Sequence, residues 1–263
     1  MIQRALMIAG VLLGLAAFAP RTVVAQGITR AQADSILAEL KQIHQLLEKN
    51  LRQQSAPAAP APAPDRRVTV PAVDAYELGR PDAPLTLLEF TDYECTFCRR
   101  FHISTFELLK KDYIDTGKLR FMSFDLPLDF HRLAFGAANA ARCAGEQGKY
   151  WDLRHVLIVN ADRLDTEALL TYAKELNLDM PLFQACLESE KYGPAIRQDV
   201  AHAQAVGISA TPSFVLGATS KQSMEGVVIV GAQPYGNFEA KIRELLSQRE
   251  HGNRGEDGGS GAR

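Results

Sequence analysis

Between residues 67 and 248, short apolar runs alternate with longer stretches of helical spacing, and this pattern predicts an α/β domain. The apolar runs are typical of strands and lie at Val68 to Val70, Leu85 to Thr91, Leu119 to Phe124, Ser213 to Leu216 and Gly226 to Val230. A helical stretch, Arg99 to Tyr113, connects the second and third runs, which is the order of a β-α-β unit. Residues 131–206 carry helical spacing throughout, and Tyr235 to Gln248 predicts a closing helix.

A separate amphipathic segment, residues 26–54, precedes this domain. From Ile28 to Gln54 there is no proline or internal glycine, and apolar residues recur at alternating steps of three and four. This spacing predicts a helix with an apolar seam formed by Ala33, Ile36, Leu40, Ile43 and Leu47. The helix either packs on the main domain or uses Ile36, Leu40, Ile43 and Leu47 to form a homo-oligomer.

The linker between helix and domain, residues 55–66, favours the second interpretation. Prolines alternate with alanines up to Pro64, and such a sequence adopts an extended polyproline II conformation that spans roughly 30 Å over ten residues. Because a stiff spacer holds the helix away from its own domain, we expect the helix to be an oligomerisation stalk.

The two ends of the chain predict processing and disorder. Arg4, the apolar run Ala5 to Ala19 and the small residues up to Ala25 are typical of a secretory signal peptide over residues 1–25. An uncleaved anchor is the alternative, although the apolar run is shorter than the roughly 20 residues of a membrane-spanning helix. We therefore expect a periplasmic or secreted protein. Residues 249–263 are rich in glycine and are expected to be disordered.

Composition excludes some classes of partner and leaves the substrate open. The chain has 263 residues, of which 46% are hydrophobic and 23% charged, which is enough to bury one sizeable core. Its formal net charge of −2 without a basic cluster argues against nucleic acid as a partner. The even number of cysteines, 4, fits an oxidising compartment.

The segment Cys95-Thr96-Phe97-Cys98 places two thiols where a strand passes into a helix. The backbone N–H groups and the dipole at a helix N-terminus favour thiolate, so Cys95 is the expected nucleophile. Cys98 lies one turn further on the same face and is expected to resolve a mixed disulfide on Cys95. A zinc site would need a second ligand pair that the spacing of Cys143 and Cys186 does not supply, so we expect neither a metal nor another cofactor.

The order of elements and three segments resemble the DsbA-like branch of the thioredoxin superfamily from about Val68 to Gln248. The segments that carry the resemblance are Glu89 to Phe101 around the CxxC, Ala140 to Ala144 together with Gly148 to Trp151, and Gly207 to Phe214. The resemblance implies a thioredoxin fold with a helical insertion at residues 131–206, preceded by the N-terminal helix and the Pro/Ala linker.

The resemblance also implies roles for further residues. Pro212 would be a cis proline facing the CxxC, with the Thr211 backbone pairing with substrate. Glu89 would be a buried acid that moves a proton to or from Cys98, although strand alternation leaves a solvent-facing Glu89 open. Cys143 and Cys186 match a second cysteine pair found in part of the family, and the alternative is two buried free thiols.

The histidines on predicted helices lack ligand spacing and are interpreted as surface or cap residues, none of them catalytic: His102, His131, His155 and His202.

The sequence therefore predicts an exported thiol-disulfide oxidoreductase acting on cysteine-containing exported proteins, with a DsbB-like or DsbD-like membrane redox partner. The alternatives are an isomerase or reductase made oligomeric by the stalk, and a Cu(I)-binding protein that uses the CxxC. Phe97 stands where strong oxidants of the family often have histidine, which predicts moderate oxidising power and leaves the direction of electron flow open.

Overall fold

The computed structural model describes residues 29–54, 65–71 and 75–256, with only the backbone described for residues 47–54 and 250–256. The predicted signal peptide, residues 1–25, and linker residues 55–64 lie outside this range. The chain divides into two units, Met1–Ala63 and Pro64–Arg263, which are described separately.

The first unit contains one described helix, α1 (Arg30–Gln54). Thr29 and Gln32 start it with reciprocal hydrogen bonds: each backbone N–H donates to the other's side-chain oxygen, at 3.0 and 3.3 Å. The predicted seam residues Ile36, Leu40 and Ile43 are 47%, 55% and 53% exposed, whereas the side chain of Leu47 is not described. The helix forms where its period predicts.

The second unit is built on a six-stranded mixed sheet with the order β1-β6-β5-β3-β4-β2. The strands are β1 (Arg67–Pro71), β2 (Tyr76–Leu78), β3 (Leu85–Thr91), β4 (Leu119–Asp125), β5 (Ser213–Ala218) and β6 (Ser223–Val230). β3 and β4 pair in parallel, which confirms the predicted β-α-β unit, and all other neighbours are antiparallel. The short edge strand β2 was not predicted, because three residues give no readable alternation.

The connection between β3 and β4 is a helix over residues 96–114, named α2. It alternates α-helical and π-helical geometry: Thr96–Phe101 and Glu107–Leu109 are α-helical, whereas His102–Phe106 and Lys110–Ile114 are π-helical. Its buried side chains, among them Phe101, Leu109 and Tyr113, pack against the sheet core. The start of α2 is therefore fixed directly above the carboxyl end of the central strand β3.

The region 131–206 is helical wherever it is regular, as the spacing predicts. Its helices are α3 (Ala134–Gly145), α4 (Tyr150–Val159), α5 (Thr166–Glu175), α6 (Met180–Glu188) and α7 (Gly193–Ala205). Asp165 and Asp179 cap α5 and α6, since their carboxylates accept the N–H of Ala168 and Leu182. These helices enclose an apolar cluster rich in alanines from α3.

The closing helix, α8 (Tyr235–Glu256), runs past its predicted end at Gln248. The prediction of disorder from residue 249 onward is therefore wrong for residues 249–256, which are helical. Glycine content misplaced the boundary because Gly252 and Gly255 stand among charged residues that continue the helix. Residues 257–263 lie outside the described chain.

Candidate active site

Two free thiols lie at the start of α2. Cys95 has extended backbone geometry immediately before the helix, and its carbonyl accepts the first helical hydrogen bond, from the Arg99 N–H at 3.1 Å. Cys98 lies inside the first turn and is 1% exposed, whereas Cys95 is 6% exposed. A partner molecule therefore reaches the Cys95 sulfur more readily than the Cys98 sulfur.

The loop before β5 meets Cys95 from the opposite side. The Thr211–Pro212 peptide bond is cis. The Cys95 Sγ lies 3.3 Å from the Thr211 carbonyl oxygen, to which it donates a hydrogen bond when the thiol is protonated. Thr211 is 8% exposed, so its backbone borders the accessible side of Cys95. The structure thus brings the CxxC and the Thr211-Pro212 pair together, although 116 residues separate Cys95 from Thr211.

The two thiols differ strongly in acidity. Hydrogen bonds from the Cys98 thiol and from the backbone N–H groups of Cys98 and Phe97 lower the pKa of Cys95 to about 5. Burial, the Cys95 sulfur and the negative charge of Glu89 raise the pKa of Cys98 well above its usual range. At neutral pH the arrangement provides one thiolate, on Cys95, and one protonated thiol beside it.

Glu89 lies in the middle of β3 and is 1% exposed. The strand is buried on both faces because β4 and β5 flank it and helices cover the sheet, so alternation does not bring Glu89 to solvent. Burial raises the pKa of Glu89, and the Arg154 guanidinium opposes that rise. Glu89 and Arg154 form a hydrogen-bonded ion pair in which both side chains are 1% exposed.

Sequence reasoning missed Arg154. It lies on α4, one residue before His155 and within the face that carries the buried Leu153, Leu157 and Ile158. The Arg154 Nε and Nη1 atoms have no hydrogen-bond partner among the described residues. A basic residue inside an apolar helix face was the signal that could have found it, because buried charges need a partner.

Acidic residues before Cys95 hold the turn that leads into α2. The Asp92 carboxylate accepts hydrogen bonds from the N–H groups of Glu94 and Leu128, both at 2.8 Å, and lies 2.8 Å from the His131 Nδ1. The Glu94 carboxylate accepts the N–H of Leu133 at 2.6 Å and thereby holds the start of α3. These contacts tie residues 128–134 to the CxxC.

Aromatic side chains remain exposed around the thiols. Phe97, inside the CxxC, is 53% exposed, and the Arg100 guanidinium lies 4.9 Å from the centre of its ring. Phe130, on the segment tied to Asp92 and Glu94, is 74% exposed. An exposed apolar surface beside a reactive sulfur is suited to contact with the unfolded segments of another protein.

The interpretation of the helix histidines as surface or cap residues is wrong for His102. His102 is 3% exposed, its ring stacks on Phe106, and its Nε2 lies 2.9 Å from the Nδ1 of His155. His155 is exposed, as expected, and His202 is half-buried against Phe124. The error arose because contacts between helices are not visible as spacing along one helix.

Cys143 on α3 and Cys186 on α6 are joined by a disulfide with a Cα–Cα distance of 5.8 Å. The pair lies in the core of the helical insertion. It therefore links two helices of the insertion and is separate from the dithiol at α2.

Comparison with known proteins agrees with this geometry. Residues 72–226 match the thioredoxin family. Alpha-DsbA1 from Wolbachia pipientis is 28% identical with a TM-score of 0.62, over 68% of this chain and 94% of that chain. A thioredoxin-like oxidoreductase from Silicibacter pomeroyi is 26% identical with a TM-score of 0.57, over 66% and 94%.

Among the curated proteins, the Na(+)/H(+) antiporter NhaA 3 from Salinispora tropica is 36% identical over 137 residues, which are 52% of this chain and 20% of the antiporter. The chain thus spans about a fifth of the length of the curated relatives it matches. Within its described residues, no helix is both long and apolar enough to cross a membrane. The matched family and the fold agree: the chain belongs to the thioredoxin family, and its fold is similar to that of DsbA proteins.

Proposed function

We propose that this chain forms or rearranges disulfide bonds in exported proteins through the Cys95–Cys98 dithiol. The observation that carries the proposal is the opposite acidity of two adjacent sulfurs, one an accessible thiolate and the other a buried thiol. Thiol-disulfide exchange needs this asymmetry, because one sulfur must attack or leave readily while the other completes the cycle.

In the oxidising direction, a substrate thiolate attacks the Cys95 sulfur of the Cys95–Cys98 disulfide. The Cys95–Cys98 bond breaks, a substrate–Cys95 disulfide forms, and Cys98 leaves with the electron pair and takes a proton delivered through Glu89. A second substrate thiolate then attacks the substrate sulfur of the mixed disulfide and releases Cys95 as thiolate. The substrate has lost two electrons to the dithiol, and a DsbB-like membrane partner accepts them. In the isomerase or reductase direction a DsbD-like partner would instead supply electrons to the dithiol.

The remaining groups orient these steps. The Thr211 carbonyl, 3.3 Å from the Cys95 sulfur, marks the side on which the extended substrate backbone docks, with Pro212 holding the loop in place. The low pKa of Cys95 makes it a good leaving group and stabilises the reduced form, which favours oxidation of substrates. Arg154 opposes the rise in the pKa of Glu89 that burial causes, which keeps both the acid and the carboxylate form of Glu89 accessible for proton transfer.

The test uses the full chain and a model protein that carries its disulfide bonds in a scrambled pattern, because a lone Cys95 thiolate forms a mixed disulfide only by attacking an existing disulfide. We expect Cys95→Ser to abolish exchange, whereas Cys98→Ser completes the first attack and accumulates mixed disulfides, visible on non-reducing gels and by mass spectrometry. Mixed disulfides that accumulate on the Cys95→Ser variant instead would reverse the two roles. Thiol trapping in cells gives the direction: an oxidised resting dithiol indicates an oxidase, and a reduced one an isomerase or reductase.

Export to the periplasm or beyond is part of the proposal. It rests on the signal-like residues 1–25, on the Cys143–Cys186 disulfide and on DsbA-like proteins being typically periplasmic. N-terminal sequencing of the protein recovered from its native compartment should begin at Gln26.

Exposure of the α1 seam favours a second candidate, an isomerase that is oligomeric through this helix. Ile36, Leu40 and Ile43 are each about half exposed, and such a face is buried in a helical oligomer. The full chain should then sediment as an oligomer, and deletion through Pro64 should give a monomer that still exchanges disulfides but isomerises poorly. A monomeric full chain would end this candidate and leave simple dithiol oxidation.

A further inference from the structure

The contact between His102 and His155 has no role in the exchange chemistry. His102 lies on α2, one residue after Phe101, and His155 lies on α4 beside Arg154. The His102 Nε2 and the His155 Nδ1 are 2.9 Å apart. The carboxylate of Glu107 offers a third atom that can bind a metal ion, and these atoms of the three side chains lie within 4.8 Å of one another.

The π-helical turn His102–Phe106 is what brings His102 and Glu107 together. In an α-helix, residues five apart differ in direction by about 140° and face different sides. In a π-helix the backbone hydrogen bond joins residues five apart, so residue 107 lies above residue 102. An insertion of this kind weakens helix geometry, and it is found most often where a helix serves a function.

The state of His102 suits a metal ligand. The His102 ring is 3% exposed and lies near the Arg154 charge, and both features favour the neutral ring, which is the form that binds a metal. The His102 Nδ1 is buried without a hydrogen-bond partner among the described residues. With its proton on Nδ1, the His102 ring presents the Nε2 lone pair toward His155, where the metal would lie. The Arg154 charge itself is neutralised by Glu89.

We propose that His102, Glu107 and His155 form a binding site for a divalent transition-metal ion, best matched by Zn²⁺. Two imidazole nitrogens and one carboxylate, with water in the fourth position, are a common zinc donor set. Zinc–nitrogen bonds of about 2.0–2.1 Å place two ligand nitrogens roughly 3.4 Å apart in a tetrahedron. The 2.9 Å separation therefore has to widen by about 0.5 Å, and the exposed His155 and Glu107 are free to move by that amount.

The experiment titrates Zn²⁺ into the untagged full chain by calorimetry. The chain is first oxidised, so that Cys95 and Cys98 form a disulfide and do not bind the metal. The ligand variants are Glu107→Gln and His155→Ala, whose side chains are exposed, so the fold is retained. The matched controls are Glu175→Gln and His44→Ala, an exposed carboxylate and an exposed histidine outside the cluster.

We expect one Zn²⁺ per chain, a loss of affinity of about 100-fold in each ligand variant, and no change in either control. Co²⁺ should give the absorption bands of a tetrahedral site, and these should disappear in the ligand variants. A chain that binds no Zn²⁺, or a loss below about tenfold in either ligand variant, would overturn the proposal. Because the dithiol is oxidised throughout, the result does not depend on the exchange activity.

Discussion

The two cysteine pairs of this chain are buried to the same extent but differ in their bonding and in their neighbouring groups. Cys95 and Cys98 are 6% and 1% exposed, and Cys186 and Cys143 are likewise 6% and 1% exposed. Yet the first pair consists of free thiols and the second is a disulfide. Burial alone therefore does not decide which cysteines react.

Polar neighbours account for the difference. Cys95 faces helix N–H groups and the Thr211 carbonyl, and Glu89 lies near Cys98. Cys143 instead lies among the alanines of α3 and the apolar side chains of the insertion, such as Leu153 and Phe183. The first environment stabilises a thiolate, which can both attack a disulfide and leave from one. The second environment offers a thiolate no stabilising contact.

Removing the second pair should affect stability and not chemistry. The Cys143–Cys186 disulfide closes a sequence separation of 43 residues. Its loss, in the double variant Cys143→Ala/Cys186→Ala, should lower the free energy of unfolding by about 4 kcal/mol. Denaturant unfolding measures this change. At denaturant concentrations below the unfolding transition, the rate of exchange with a model substrate should be unchanged. A large loss of exchange in the still-folded variant would show that the two pairs are coupled.

The ion pair beneath the first pair provides the next largest effect. Arg154→Met leaves the Glu89 carboxylate buried without its partner, which should cost about 3 kcal/mol of stability. Because Arg154 opposes the raised pKa of Glu89, its removal should shift the Glu89 limb of the pH–rate profile to higher pH.

Two further variants separate positioning from packing. Arg154→Lys keeps a positive charge at position 154, so its pH–rate profile should be close to that of the unchanged chain. Glu89→Gln should slow exchange, by up to about 100-fold, and remove the limb altogether. If Glu89→Gln leaves the pH–rate profile unchanged, Glu89 has no part in the proton transfer.

The sequence alone predicted the main helices and strands but not the polar contacts between them. The period of apolar residues located β3, β4 and the helix between them, since a parallel pair buried on both faces leaves a nearly continuous apolar run. The same burial explains why alternation failed for Glu89, because β3 has no solvent face. Only the resemblance to DsbA-like proteins singled out Glu89 and Thr211.

Contacts between side chains on elements far apart in the sequence could not be predicted from the pattern of a single segment. Arg154 and His155 act on β3 and α2 from the helical insertion, and neither has a meaningful spacing to the CxxC. His102 was misjudged for the same reason, since its partner lies 53 residues away. The absence of histidine at position 97 predicted only moderate oxidising power, whereas hydrogen bonds lower the pKa of Cys95 to about 5 without a cationic partner.

The last expected contrast is a pH dependence that only the first pair should show. In the folded reduced chain the pKa of Cys95 is about 5, compared with 9.0 for an ordinary thiol. A lowered pKa stabilises the folded reduced chain fully above pH 9, and this contribution fades as the pH falls and is gone below pH 5.

The oxidised chain has no Cys95 thiol to titrate, so the reduced chain should lose stability relative to it between pH 9 and pH 5. Thermal unfolding of both forms across this range measures the change, and alkylation of Cys95 by iodoacetamide should have its midpoint near pH 5. Cys95→Ala cannot form the Cys95–Cys98 disulfide and has no thiol at position 95, so its stability should lack the loss between pH 9 and pH 5 that the reduced chain shows. An alkylation midpoint near pH 9 would mean that the Cys98 thiol and the helix start do not stabilise the thiolate, and the contrast between the two pairs would then rest on accessibility alone.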